Sequence, residues 1–279
     1  MTDLISTPLP DLPAWAGFLS HVEIPVLPET ALALAELAGD QERTDAQGVA
    51  AIVMRDPLMS VKLYRHLATL RRRSQLTDVE SLTGSVLMLG LTPFFNTFGA
   101  LRPVAAPAGD SRDWHRGLMA VLDRSRRAAD YAFEWAVRRN DMDAEIIHTA
   151  ALLHDFTELL LWCVAPALSS ALERQLADHP GLRSSAAQRL VLNVDINELQ
   201  HELMQRWHLP ELLVRITDDH AATDPQVRTV TLAIAMARHS AGGWNNPALP
   251  DDYAALGTLL NMPPQQARLL VAEAQTPAA

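Results

Sequence analysis

Hydrophobic residues recur along much of this chain at three- and four-residue spacing, the period of a helix that buries one face. One such face consists of Val79, Leu82, Val86 and Leu89. Gly90 follows it and is a typical helix stop. The strict alternation of apolar and polar residues that marks a half-buried strand hardly appears. The pattern predicts an all-α protein of roughly a dozen helices.

Capping residues and prolines predict where several helices begin. Thr44-Asp45-Ala46-Gln47 has the spacing of a capping box and is expected to start a helix that runs to about Arg55. Asp56 should cap the next helix. Pro57 also supports a helix start here, because proline fits a first turn whose N–H would be unpaired anyway. By similar signals, further helices are expected to start near Asp78, Thr92, Pro166, Ser185, Asp195, Pro210 and Pro225.

The composition changes sharply at residues 103–110, which read Pro-Val-Ala-Ala-Pro-Ala-Gly-Asp and are typical of a linker. Trp15 and Phe18 lie in a proline-rich N-terminal segment and are expected to clasp the body of the protein or a second chain. Residues 244–250 are expected to form a loop. The predicted organisation is an N-terminal extension (1–20), a helical lobe (21–102), a linker (103–112) and a second helical lobe (113–279).

Charge and cysteine content narrow the function classes. The net charge is −10, from 33 acidic and 23 basic residues, so bulk electrostatics oppose nucleic-acid binding. Cys163 is the only cysteine, which excludes a disulfide framework and a cysteine-rich zinc site. The start of the chain lacks the basic and apolar regions of a signal peptide, and the apolar runs are shorter than the ~20 residues that span a bilayer. A cytoplasmic location is the expectation.

A set of short motifs then occurs in a defined order. They are Ile24-Pro25-Val26-Leu27-Pro28, Asp56-Pro57-Leu58-Met59-Ser60-Val61-Lys62-Leu63, Ser81 to Gly90, Ala151-Leu152-Leu153-His154-Asp155, Arg206-Trp207-His208-Leu209-Pro210 and Asp219-His220. Across residues 21–240 this ordered set resembles the HDOD domain, the HD-related output domain of bacterial signalling proteins. The resemblance implies a multi-helix HD-like bundle with an N-terminal helical lobe, and a regulatory role in signal transduction.

His154 and Asp155 match the pair that binds a divalent cation in metal-dependent HD phosphohydrolases. Thr157 stands where the family has glycine, and residues 231–237, where the last aspartate ligand would fall, contain no carboxylate. We therefore expect a vestigial HD pair in a pseudoenzyme, with no catalytic residues, no bound metal and no cofactor. His154 should donate to a backbone carbonyl, and Asp155 should cap a helix that starts at Phe156.

The alternative is a metal-dependent phosphohydrolase in which the metal activates water. Its ligands would be His115, His154, Asp155 and a displaced carboxylate from Asp218 or Asp219. The alignment, however, places Arg116 rather than His115 in the slot of the first histidine. An offset of one residue turns a side chain by ~100° around a helix, which is enough to miss the site.

A basic cluster and one tryptophan form a second candidate surface, for a ligand or a partner. Its members are Lys62, Arg65, Arg71, Arg72, Arg73 and Trp207. Phosphate groups favour such a cluster, but cations at a helix C-terminus are also common because they complement the helix dipole. We predict a binding module whose partner is a protein or a second copy of the chain. A small signalling nucleotide bound near His154 and Trp207 is an alternative, and nucleic acid binding through Arg71–Arg73 is the weakest hypothesis.

Overall fold

The computed structural model describes residues 4–40, 44–74, 80–107, 111–179, 181–218 and 223–273, without the side chains of 71–74 and 111. These residues form α-helices and connecting loops, with one isolated β-bridge between Val26 and Pro103. The all-α prediction is confirmed. No single helix in the described ranges is both long and apolar enough to cross a membrane. Within those ranges, only the segments Ala144–Val164 and Pro166–Asp178 taken together, with a 119° bend between them, meet that criterion.

Sixteen helices are present in the described part of the chain. The first eight are α1 (Leu12–His21), α2 (Pro28–Gly39), α3 (Ala46–Val53), α4 (Pro57–Ser74), α5 (Leu82–Leu89), α6 (Leu91–Phe98), α7 (Ser111–Arg138) and α8 (Ala144–Leu153). The other eight are α9 (Phe156–Val164), α10 (Pro166–Asp178), α11 (Ser184–Leu192), α12 (Ile196–Arg206), α13 (Glu211–Ile216), α14 (Pro225–His239), α15 (Leu249–Leu260) and α16 (Pro264–Glu273).

Two of the predicted caps are confirmed in atomic detail. The Asp56 carboxylate accepts the backbone N–H groups of Leu58 (2.9 Å) and Met59 (3.1 Å) at the start of α4. Asp195 caps α12 in the same way, with its Oδ1 2.9 Å from the nitrogen of Asn197. In each case one carboxylate oxygen satisfies donors that have no partner within the helix.

Two predicted helix starts need comment. The N-cap of α3 is Asp45, not Thr44, and its carboxylate accepts the N–H of Gly48 at 2.7 Å. The hydroxyl of Thr44 instead donates to carbonyls at the end of α2, so it cannot cap α3. The N-cap of α5 is Ser81, whereas the predicted cap Asp78 lies outside the described residues.

The N-terminal segment contains a helix that the sequence reading missed. Asp11 caps α1 by accepting the N–H of Ala14 at 2.9 Å, with Pro13 in the first turn. Trp15 is completely buried, and its indole N–H donates to the carbonyl of Leu192 at 2.8 Å. The prediction that Trp15 clasps the body of the protein is therefore confirmed.

The chain divides into two compact units. Unit 1 contains Met1–Leu122 and Asp155–Pro210, and unit 2 contains Asp123–His154 and Glu211–Ala279. This division differs from the lobes separated at 103–112, because the long helix α7 contributes its first part to unit 1 and its last part to unit 2. The lobe boundaries drawn from the sequence stay a prediction.

The core of unit 1 is organised around α9, which packs against α4, α10 and α12. Trp162 is a large buried side chain of α9, and its carbonyl accepts the indole N–H of Trp114 at 2.8 Å. Gly117 allows this close packing. A Cβ at that position would lie 2.2 Å from the Trp162 ring, far inside van der Waals contact.

Unit 2 is built on α8, α13 and α14, with α15 and α16 stacked after them. The guanidinium of Arg127 donates to the carbonyl of Ala237 at 2.9 Å, which connects α7 to α14. Arg139 adds a second connection, because it donates to the hydroxyl of Thr229 at 2.7 Å. Helix α15 begins at Leu249, inside the region predicted as a loop, so residues 244–250 are only partly loop.

Candidate functional site

The His154-Asp155 pair lies at the junction of α8 and α9. Helix α8 ends at Leu153 and α9 begins at Phe156, as expected. Both side chains are buried, with 7% of His154 and 8% of Asp155 exposed. The pair is therefore part of the protein interior.

The prediction that the Asp155 side chain caps α9 is wrong. Asp155 occupies the N-cap position, but its side chain makes no capping hydrogen bond. Its backbone angles, φ −111° and ψ 18°, lie outside the extended region from which an N-cap side chain reaches the first turn. Only its carbonyl serves the helix, by accepting the N–H of Leu159 at 3.1 Å. The predicted bond from His154 to a carbonyl stays a prediction.

Near the pair, two buried polar atoms have no hydrogen-bond partner among the described residues. The side chain of Thr157 is completely buried, and its hydroxyl has no hydrogen-bond partner among the described residues. The Phe156 ring packs against Trp207 with 5.7 Å between ring centroids. The indole nitrogen of Trp207 is also buried without a partner in the described ranges. Leaving such a group unsatisfied costs about 1–3 kcal/mol, so each of the two groups lowers the stability of unit 1.

The described residues do not form a site that fits a metal ion. Within the described ranges, no three His, Cys, Asp or Glu side chains are grouped closely enough to hold one. His115 is exposed on α7 beside Trp114, and Asp218 is half-buried after α13. Asp219 lies outside the described residues. The ligand set of the enzymatic alternative is therefore not assembled in the part of the chain that is described.

Arg116, which is predicted from the sequence to take the place of the first histidine of HD enzymes, forms an ion pair. Its guanidinium lies 3.0 Å from a carboxylate oxygen of Glu173 on α10 and 3.5 Å from Asp113. These carboxylates raise the pKa of Arg116, with Glu173 the larger influence. A permanently charged guanidinium cannot serve as a metal ligand, so this position has a different chemistry.

Two members of the basic cluster are engaged inside unit 1. Lys62 donates to the carbonyl of Ile24 at 2.9 Å, and its ammonium lies 3.7 Å from Glu23. Arg65 donates to the carbonyls of Ser20 (2.5 Å) and Val22 (3.2 Å). Burial lowers the pKa of both cations, and for Lys62 the nearby Glu23 opposes that effect.

Trp207 is an interior residue as well. It is 5% exposed, and the Arg65 guanidinium lies 5.1 Å from its ring centroid, within the range of a cation–π contact. The structure thus brings Arg65 and Trp207 together, with Trp207 buried and Arg65 half-buried. Arg71, Arg72 and Arg73 belong to the last turn of α4, and their side chains lie outside the described part.

Asp56 has a larger role than the helix cap that was predicted from the sequence. Besides capping α4, its second oxygen accepts the N–H of Leu27 at 2.8 Å, and the Thr30 hydroxyl also donates to it. The side chain is fully buried, and burial raises its pKa although these hydrogen bonds oppose the shift. The signal in the sequence was a carboxylate followed by Pro57 and the apolar residues Leu58 and Met59.

The family model of the HDOD domain matches residues 24–223 of this chain. The chain belongs to the HDOD family. The resemblance found from the ordered motifs is confirmed, because the match spans all of those motifs. In this HDOD protein, the Asp56 carboxylate connects the first motif, at Leu27, to the second motif, which opens α4.

Solved structures show the same fold. The MmoQ response regulator from Methylococcus capsulatus str. Bath superposes with a TM-score of 0.68 at 20% identity, over 90% of this chain and 98% of that one. A virulence factor from Campylobacter jejuni subsp. jejuni gives a TM-score of 0.65 at 18% identity, over 93% and 91% of the two chains. A comparison with curated proteins finds no match.

Proposed function

We propose that this HDOD protein is a non-catalytic regulatory module of bacterial signal transduction that acts by binding a protein partner. The observation that carries the proposal is the set of residues that stands where an HD enzyme would have its last metal ligand. Where the last aspartate ligand would fall, α14 has the buried apolar residues Ala233, Ile234, Met236 and Ala237. Such a surface packs against other helices and offers a cation no oxygen.

Family membership supports the signalling role, and the response regulator MmoQ shares the fold on which such a role would depend. Binding at an outer surface fits better than a nucleotide at Trp207. That indole is 5% exposed and contacts both Phe156 and Arg65. A ligand that reached it would have to open the interior of unit 1, at the cost of these contacts.

A test in the source organism can precede any identification of the partner. Deleting the gene defines the output as the set of transcripts that change. The double variant His154→Gln and Asp155→Asn removes metal-binding capacity but keeps side chains of similar size. We expect this variant, at wild-type abundance, to restore the wild-type transcript pattern. Asp56→Ala serves as the control that loses the output, because it should unfold unit 1.

The opposite result would sink the proposal. If the folded double variant behaved like the deletion, and its melting temperature matched that of the wild type, the HD pair would be acting chemically. Binding of a partner at an outer surface could not account for such a loss.

A further inference from the structure

A cleft of about 740 Å³ lies in unit 2, beyond residue 223 where the family match ends. It is formed by the loop before α15, by α15 itself and by one face of α16, from Pro264 to Ala272. Its volume falls within the range of sites that bind small organic ligands. The side chains that give it chemical character are Trp244, Asn245, Asn246, Tyr253, Gln265 and Arg268.

Trp244 is the feature that sets this cleft apart. Its indole is 46% exposed, whereas each of the other five tryptophans is no more than 7% exposed. Those five are Trp15, Trp114, Trp135, Trp162 and Trp207. An exposed indole in a concave site leaves a large flat apolar surface in water, and stacking a ring on it would remove that surface from water.

The polar groups around Trp244 are of two kinds. Asn245, Asn246 and Gln265 have carboxamides, which offer a donor and an acceptor side by side. The carboxamide of Asn246 is held in place, because its oxygen accepts the N–H of Ala248 at 3.0 Å. Paired donors and acceptors of this type match the edge of a nucleobase.

Arg268 is the one charged side chain among the described residues that line the cleft, and none of those residues is a carboxylate. Tyr253 lines the same cleft and adds a second aromatic ring to it. With one positive and no negative side chain, this lining favours an anionic group over a cationic one, in contrast to the protein as a whole, whose net charge is −10. Arginine is well suited to phosphate, because its planar fork of N–H groups forms paired hydrogen bonds.

We propose that this cleft binds a purine mononucleotide, with the base stacked on Trp244, the base edge on the carboxamides and the phosphate on Arg268. A purine mononucleotide has a ring to stack, a base edge and a phosphate, so it uses all three kinds of group at once. A proline-rich peptide would use the aromatic surfaces but would leave Arg268 without a role. This inference does not rest on the proposed function, since the cleft lies outside the region that matches the family.

Fluorine NMR of the protein labelled with 5-fluorotryptophan tests the proposal directly. The six tryptophans give six resonances, and Trp244→Phe assigns the one in the cleft. We expect GMP to shift the Trp244 resonance in a saturable way and to leave the five buried ones in place. Guanosine, which lacks the phosphate, should need about tenfold more ligand for half-saturation, because it forms no charge-assisted bonds with Arg268.

Two arginine variants separate phosphate recognition from general charge effects. Arg268→Gln should weaken GMP binding to the level of guanosine and leave guanosine binding unchanged. Arg228→Gln is the matched control, since it removes an exposed arginine of α14 outside the cleft lining, and it should change neither. The proposal is overturned if GMP leaves the Trp244 resonance unmoved. It is also overturned if Arg268→Gln binds GMP like the wild type, or if only a polyproline peptide moves the resonance.

Discussion

At the scale of single residues, the carboxylate of Asp56 is the most consequential group in unit 1. It accepts three backbone N–H groups, from Leu27, Leu58 and Met59, and the hydroxyl of Thr30. A buried carboxylate is stable only when its lone pairs are used in this way. One side chain therefore fixes both the start of α4 and the chain entering α2.

Replacing Asp56 tests that role. Asp56→Asn keeps the shape but points an NH₂ group at the donors on one side, so a donor would face a donor. We expect a loss of about 2–4 kcal/mol in the free energy of unfolding, measured by urea denaturation. The matched control is Asp45→Asn at the exposed cap of α3, which should cost at most about 1 kcal/mol. Equal effects of the two variants would contradict a special role for Asp56.

Cys163 gives a second prediction at this scale. The residue is only half-buried, but desolvation of its thiol, together with the negative charge of Asp56, raises the pKa of that thiol to about 12. At neutral pH the thiolate fraction should then be roughly a thousandfold lower than for an ordinary cysteine. We expect iodoacetamide to label the native protein far more slowly than the urea-unfolded protein, as followed by mass spectrometry. Similar labelling rates would show that the thiol is neither buried nor shifted.

At the scale of helices, local signals and tertiary packing can be separated. Asp56 and Asp195 were found from the sequence, because a cap acts on the next few residues. Helix α1 was not predicted, although Asp11 and Pro13 form a normal helix start, because the hydrophobic pattern was not examined in this proline-rich segment. The close approach of α7 to α9 at Gly117 could not be predicted, because it depends on a partner far along the chain.

At Gly117, the expected effect of a glycine-to-alanine change on the free energy of unfolding is the opposite of the usual one. Glycine to alanine inside a helix normally stabilises it by about 0.5–1 kcal/mol. At Gly117 the added Cβ would lie 2.2 Å from the Trp162 ring, so we expect a loss of about 1–3 kcal/mol in the free energy of unfolding. Gly17→Ala in α1 is the control, since nothing lies within 4 Å of its Cβ, and it should stabilise. If Gly117→Ala also stabilised the protein, α7 could not pack as described.

At the scale of the whole molecule, the sequence was sufficient for the family and the fold class but not for the site. The ordered motifs depend on apolar spacing, which survives when functional residues change. Lys62 and Arg65 show why the site could not be predicted in the same way. As sequence they resemble a phosphate-binding surface, yet the structure engages them with backbone carbonyls of residues 20–24. Charge can be read from a sequence, whereas the partner of a charge depends on the fold.

The central claim is that the HD pair no longer supports metal chemistry, and the metal content of the purified protein tests it most directly. The protein would be produced with added manganese and iron and measured by mass spectrometry, beside His154→Gln. We predict no metal above background in either protein, and no hydrolysis of bis(p-nitrophenyl) phosphate. Near-stoichiometric metal in the wild type that is lost in His154→Gln, together with hydrolysis, would contradict the account.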